Sequence, residues 1–160
     1  QRARGTMGNE LYRLLTNLGV ASMMVMLTVT LHFFGLLLLT YVMSASRHHL
    51  RPHEGVLRQA GLLLFVILGI FALVTVHIWL YAALYRALGE MRDFETALYY
   101  STTTFTAVGF GDVVVSPRWR VLSAIEAANG VILLAWSTAF LLSVTSRLRV
   151  LEHEWLERRE

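Results

Sequence analysis

Thr106-Ala107-Val108-Gly109-Phe110-Gly111-Asp112 is the stretch on which the reading of this chain turns. Two glycines alternate with two bulky residues, and the hydroxyl-rich run Ser101-Thr102-Thr103-Thr104-Phe105-Thr106 leads into them. Glycine enters the φ > 0 region without the clash that a Cβ brings, so Gly109 and Gly111 let successive carbonyls point the same way. Aligned carbonyls can stand in for a cation's hydration shell. The stretch lies between two long apolar segments. At membrane depth, irregular backbone is tolerated only where it is buried in protein or lines a watery path.

The composition agrees with a membrane setting. The 160 residues are 56% hydrophobic and the mean hydropathy is +0.54, whereas a soluble domain is about 45–50% apolar. There is room for one membrane module. Cysteine is absent, which excludes a disulfide framework and a cysteine metal site. All 14 basic residues are arginine, and the net charge is +3. The arginines cluster at the ends of apolar segments, so membrane topology explains them better than a nucleic-acid partner does.

Three stretches are long enough to span a bilayer. Asn17 to Met43 holds no Asp, Glu or Arg; at ~1.5 Å per residue it would run about 40 Å against a hydrocarbon core of about 30 Å. The second runs from Val56 to Leu84 with its apolar heart at Gly61 to Leu80, and the third from Trp119 to Ser146, with Pro117 just before its start. Between the last two, Asp93 to Phe105 is too short to span. A half-length helix that enters the membrane and returns as the glycine-containing loop fits that length. The expected division is a tail at 1–16, a first transmembrane helix at 17–44, a basic linker at 45–58, a pore module at 59–147 and a helical extension at 148–160. Residues before Met7 are set aside as a tag remnant or the tail of a removed segment.

Charge orients the spans. Arg47, Arg51 and Arg58, with His48, His49 and His53, occupy the linker, and Arg147, Arg149, Arg158 and Arg159 the carboxyl end. Both belong in the cytoplasm by the positive-inside rule. Glu90, Asp93, Glu95 and Asp112 then face outward, where they attract cations and are diluted by Arg86, Arg92, Arg118 and Arg120. Three spans put the amino terminus outside, against which Arg2, Arg4 and Arg13 argue if residues 1–6 are native; with a start at Met7 only Arg13 remains and the conflict largely disappears. The alternative is a first helix lying in the interface, but its few scattered polar residues do not make the strongly polar face that needs, so a true span is favoured.

From Phe94 to Arg147 the chain resembles the helix–filter–helix module of bacterial potassium channels with two helices per pore unit. Phe94-Glu95-Thr96-Ala97-Leu98-Tyr99-Tyr100-Ser101 is similar to that family's pore-helix start, Thr103-Thr104-Phe105-Thr106 to its end, and Ala107 to Gly111 to its filter. The resemblance implies an all-α membrane protein with three transmembrane helices, a re-entrant pore helix and a filter loop. One filter motif per chain implies a homotetramer closed around the pore. It further implies K+ as the permeant ion, held by Thr106 and by the carbonyls of Ala107, Val108, Gly109 and Phe110, with Gly111 closing the filter. No cofactor and no enzymatic activity are expected. The localisation implied is the bacterial inner membrane, with the filter mouth outside.

Two departures bear on selectivity. The family usually has threonine where Ala107 stands, and alanine keeps the carbonyl but loses a hydroxyl at the innermost site. Phe110 replaces the usual tyrosine and loses a phenolic brace. Asp112 matches the family's aspartate behind the filter mouth, with Tyr99 as its candidate partner and Thr103 at a position where some members carry glutamate; solvation of Asp112 is the alternative. In the third span Gly130 falls near the family's hinge glycine and marks either a bend or a close packing contact. Leu134, Thr138, Leu141 and Thr145 recur at helical spacing as candidate cavity-lining residues. Glu126, the one carboxylate inside a span, is a candidate filter support through Thr102 or Thr104.

Other readings remain at this level: a weakly selective cation channel because of Ala107, or a non-conducting membrane adaptor. A haem pair from His32 and His77 has poor depth matching. No span has arginine at every third position, so there is no voltage sensor of that kind. The carboxyl segment, apolar at Leu148, Leu151 and Trp155, either continues the inner helix or links to a regulatory domain. The gating stimulus is not written in these residues.

Overall fold

The computed structural model describes residues 2–47 and 56–157, with side chains described for Gly8, 10–44 and 60–146. The chain is an all-α membrane protein, and its described residues form four helices in order: α1 (Arg2–Arg47), α2 (Val56–Ala87), α3 (Phe94–Phe105) and α4 (Arg120–Glu157). Among the described residues, three segments are long and apolar enough to cross a membrane: Glu10–Ser44, Ala60–Ala87 and Arg120–Ser146. An α-helix satisfies its backbone groups internally, which is what a lipid environment demands of a spanning segment. Large apolar side chains point outward along them, such as Met26 at 72% and Phe71 at 71% exposure. In a bilayer such side chains meet solvent of their own kind.

The α2 and α3 boundaries follow the sequence signals closely, and α1 and α4 run further. α1 begins at Arg2 rather than near Asn17, because no proline interrupts residues 2–16. Its 35-residue apolar part would measure about 52 Å at ~1.5 Å per residue, well beyond a core of about 30 Å. α4 carries on past Ser146 to Glu157, as the apolar spacing in that segment suggests. The histidine-rich part of the basic linker, His48 to Gly55, lies outside the described residues.

Two compact units divide these helices. One contains the chain up to Leu31 together with Thr75–Leu133, and so holds α3 and the glycine loop. Its buried side chains include Tyr81, Tyr85, Phe105, Leu122 and Glu126. The other contains His32–Val74 and the chain from Leu134 onward. There Met43, Val66 and Val144 form a core, with Leu62, Ile70, Phe140 and Leu141 packed on it. Leu73 presses onto Gly35 and Leu39 onto Gly69, so α1 and α2 each offer a notch to the other's leucine. Small residues at such contacts let helices approach closely in lipid.

Candidate ion-conducting site

α3 starts sharply. Asp93 is extended (φ −130, ψ 162) and its Oδ1 accepts from the Thr96 amide at 2.7 Å, while the Thr96 hydroxyl donates to Oδ2 at 2.9 Å. This is an N-cap, which satisfies a donor that the first helical turn leaves open. The Thr96 amide, and then its hydroxyl, hold the Asp93 carboxyl below the usual carboxylate range.

The other end of α3 determines the shape of the loop. Thr106 is the C-cap and Ala107 follows at φ 58. The Ala107 amide donates to the Thr104 carbonyl at 2.9 Å, and the Val108 amide to the Thr103 carbonyl at 2.9 Å. These two bonds with a left-handed residue between them make a Schellman closure. Gly89 closes α2 in the same way at φ 74, with its amide on the Arg86 carbonyl and the Glu90 amide on the Tyr85 carbonyl. Glycine does this without strain; at α3 the same task falls to alanine. The Gly109 amide also reaches the Thr103 carbonyl, at 3.0 Å.

Positive φ therefore recurs at Ala107, Gly109 and Gly111. The glycines are where the alternation predicts them, and Ala107 is an addition to that pattern. The amides of Thr106 to Gly109 all turn back to α3. Among the described residues, the carbonyls of Ala107 to Phe110 accept no hydrogen bond. Val108 and Phe110 are 54% and 70% exposed. Next to the loop lies a groove of about 410 Å³, lined among others by Tyr100, Thr103, Ala107, Ser123 and Ala127.

At the carboxyl end of the loop, the Tyr99 hydroxyl donates to Asp112 Oδ2 at 2.8 Å, so Asp112 is partnered. That bond pushes the Tyr99 phenol up. Thr103 contributes its carbonyl to the closure, and its hydroxyl donates to the Tyr100 carbonyl. Glu90 accepts from the Ser116 amide at 2.7 Å and from its hydroxyl at 2.9 Å, tying the loop after α2 to the stretch before α4.

Glu126 is fully buried, but its partners differ from those expected. Neither Thr102 nor Thr104 meets it. The Ser101 hydroxyl donates to Oε1 and the Tyr85 hydroxyl to Oε2, each at 2.6 Å. Thr102 instead bonds back to the Leu98 carbonyl, since the rotation of α3 turns Ser101 toward α4. Glu126 thus links α2, α3 and α4.

At Gly130, α4 is uninterrupted helix. A Cβ there would overlap the Phe105 carbonyl, so the close-packing reading accounts for this glycine. Among the candidate cavity-lining positions, Thr138 is exposed, whereas Leu134 is half-buried and Leu141 packs on the core of its own unit. Thr145, half-buried, donates to the Leu141 carbonyl. The exposed positions along this part of α4 also include Val131, Ile132, Ala135, Trp136, Ala139, Leu142 and Ser143.

Several contacts had no individual signal in the sequence. Asn17 on α1 accepts from the Leu122 amide at 3.4 Å and donates to the Arg118 carbonyl, capping the start of α4 from another helix. Asn129 on α4 donates to the Thr28 hydroxyl at 2.8 Å and the Tyr81 hydroxyl at 3.2 Å. Lone amides in apolar spans are the signal that points to such links. His77 Nε2 lies 2.9 Å from the Thr28 carbonyl, and His32 sits beside Trp136 and Ser137.

No curated protein and no solved structure matches the chain. A family model described as ion channel matches residues 62–147, which begins within α2 and takes in α3, the glycine loop and the apolar part of α4. That match covers more than half of the 160 residues, and the chain belongs to this ion channel family.

Proposed function

We propose that the protein is a potassium-selective channel in which four copies surround one carbonyl-lined filter. The observation that carries this reading is the row of unbonded carbonyls from Ala107 to Phe110, held out by amides that turn back to α3. The carboxyl end of α3 lies at the start of this row, and a helix end of that sign, worth roughly half an elementary charge, favours a cation. Exposed Val108, Phe110 and Val114, with the groove beside them, support assembly: they are apolar or open surfaces that neighbouring copies would cover. Permeation is passive, so no covalent chemistry or cofactor is required. With the arginine-rich ends in the cytoplasm, Glu90, Asp93, Glu95 and Asp112 lie at an outer mouth of a plasma-membrane protein.

A weakly selective cation pore is the second reading, favoured by one observation. Ala107 offers no hydroxyl at the inner end of the row. Reconstitution into potassium-loaded liposomes separates the two. A selective channel releases potassium into sodium medium only when a proton carrier balances the charge. A non-selective pore exchanges the two cations without it. Native mass spectrometry in detergent checks the four-copy assembly, and a monomer at functional concentrations counts against it.

A further inference from the structure

Phe105, the last residue of α3, is fully buried inside a closed set of contacts drawn from three other helices. His77 of α2 stacks on its ring with centroids 6.1 Å apart, and Tyr81, one turn later, lies at 6.3 Å. Gly130 of α4 packs on its main chain. Asn129, the neighbour of that glycine, donates to the Tyr81 hydroxyl and to Thr28 on α1. Thr28 in turn presents its carbonyl to His77 Nε2. The set closes on itself: Thr28, Asn129, Tyr81, Phe105, His77 and back to Thr28. Thr28, His77, Tyr81 and Phe105 are within 0% exposure and Asn129 is at 4%.

The hydrogen count is consistent. The Thr28 hydroxyl donates to the Met24 carbonyl at 2.8 Å, which leaves a lone pair to accept from Asn129. The Asn129 amide has two protons for its two acceptors. A buried amide that loses an acceptor has no water to turn to, so Asn129 is held to one position only while Thr28 is there.

We infer that α1, which lies outside the matched residues 62–147, is a positioning element of the pore, and that Thr28 is the residue through which it acts. Through its hydroxyl it fixes Asn129, and with it Tyr81 and the seat of Phe105, two residues before the backbone turns left-handed at Ala107. α1 thereby sets the entry of the glycine loop from a distance. This rests on reading residues 106–111 as the ion path.

The test compares Thr28→Val, which keeps shape and removes the hydroxyl, with Thr28→Ser, which retains it. Two readouts are taken on the full chain: single-channel recording, and hydrogen exchange of the amides at Val108 and Gly109. Thr28→Val is expected to exchange these amides at least about tenfold faster and to shorten openings, with unitary conductance unchanged, while Thr28→Ser behaves as the native chain. Native exchange and native openings in Thr28→Val overturn the proposal. So does an equal change in Thr28→Ser, which would point to packing rather than the hydroxyl. The exchange readout needs no current. A native chain that fails to conduct therefore counts against the channel reading, and the exchange comparison still decides the role of α1.

Discussion

Gly130 sits directly on the main-chain carbonyl of Phe105, with no space for a Cβ between them. α4 thus touches α3 through backbone, at the last residue of α3. Gly130→Ala must push one helix away from the other, and overpacking of this kind costs about 1–3 kcal/mol. Alanine is also the better helix former by about 1 kcal/mol. Because the overlap is with backbone, the steric cost wins. A lowered melting temperature of the variant in detergent is the expected result, and an unchanged or raised one would mean that the two helices are not in contact there.

Ala107 does at the end of α3 what Gly89 does at the end of α2. A side chain in the left-handed region costs roughly 1–2 kcal/mol, so Ala107→Gly should stabilise the closure by about 1 kcal/mol. Ala107→Thr places a β-branched residue at φ 58 and should destabilise it. Threonine at this position is therefore expected to reduce stability unless the closure rearranges. Thermal unfolding of the three proteins orders them Gly, Ala, Thr from most to least stable; the reverse order would show that Ala107 does not hold this conformation.

Glu126 receives two short hydrogen bonds inside the membrane. Hydrogen bonds contribute about 0.5–1.5 kcal/mol in water-soluble proteins, and interhelical bonds in lipid average about 0.6 kcal/mol. A loss of about 1 kcal/mol is expected for Tyr85→Phe. Glu126→Ala, which strips both partners, should cost more than Tyr85→Phe and Ser101→Ala do singly. A double-mutant cycle between Tyr85 and Glu126 measures this, and a coupling near zero would disprove the link.

The carboxyl end of the loop carries a pH dependence on the alkaline side. The bond to Asp112 raises the Tyr99 phenol above its ordinary value of 10.0. Its contribution is full below that value and is lost as pH rises through the higher folded value. Asp93 works in the opposite direction. Its carboxyl is lowered from 3.8, so the cap it provides is present above that value and is lost as pH falls through the lower folded one. Loop stability followed by hydrogen exchange should be flat across neutral pH, and Tyr99→Phe should remove the alkaline limb. An alkaline limb that survives in Tyr99→Phe would assign it to another group.

The spans and the loop were legible because their signals are local. Apolar length marks a membrane helix, and the spacing of Gly109 and Gly111 marks a backbone that bends where others cannot. Asp93 and Pro117 punctuate the helices next to that loop. The partners of Glu126 were not legible, since one residue of rotation about α3 decides between Ser101 and Thr102, and packing sets that rotation. Positive φ at Ala107 escapes a rule that looks only for glycine. Asn17, Thr28 and Asn129 are visible as polar residues in apolar helices, but the pairing of α1 with α4 depends on contacts about a hundred residues apart in sequence.

The central measurement is the reversal potential of the purified protein in a planar bilayer, with potassium on one side and sodium on the other at equal concentration. A filter built on the carbonyls of Ala107 to Phe110 that selects potassium predicts a reversal displaced far from zero, in the sense of potassium current leaving its own side. Current that reverses near zero would contradict potassium selectivity and assign the pore to cations in general.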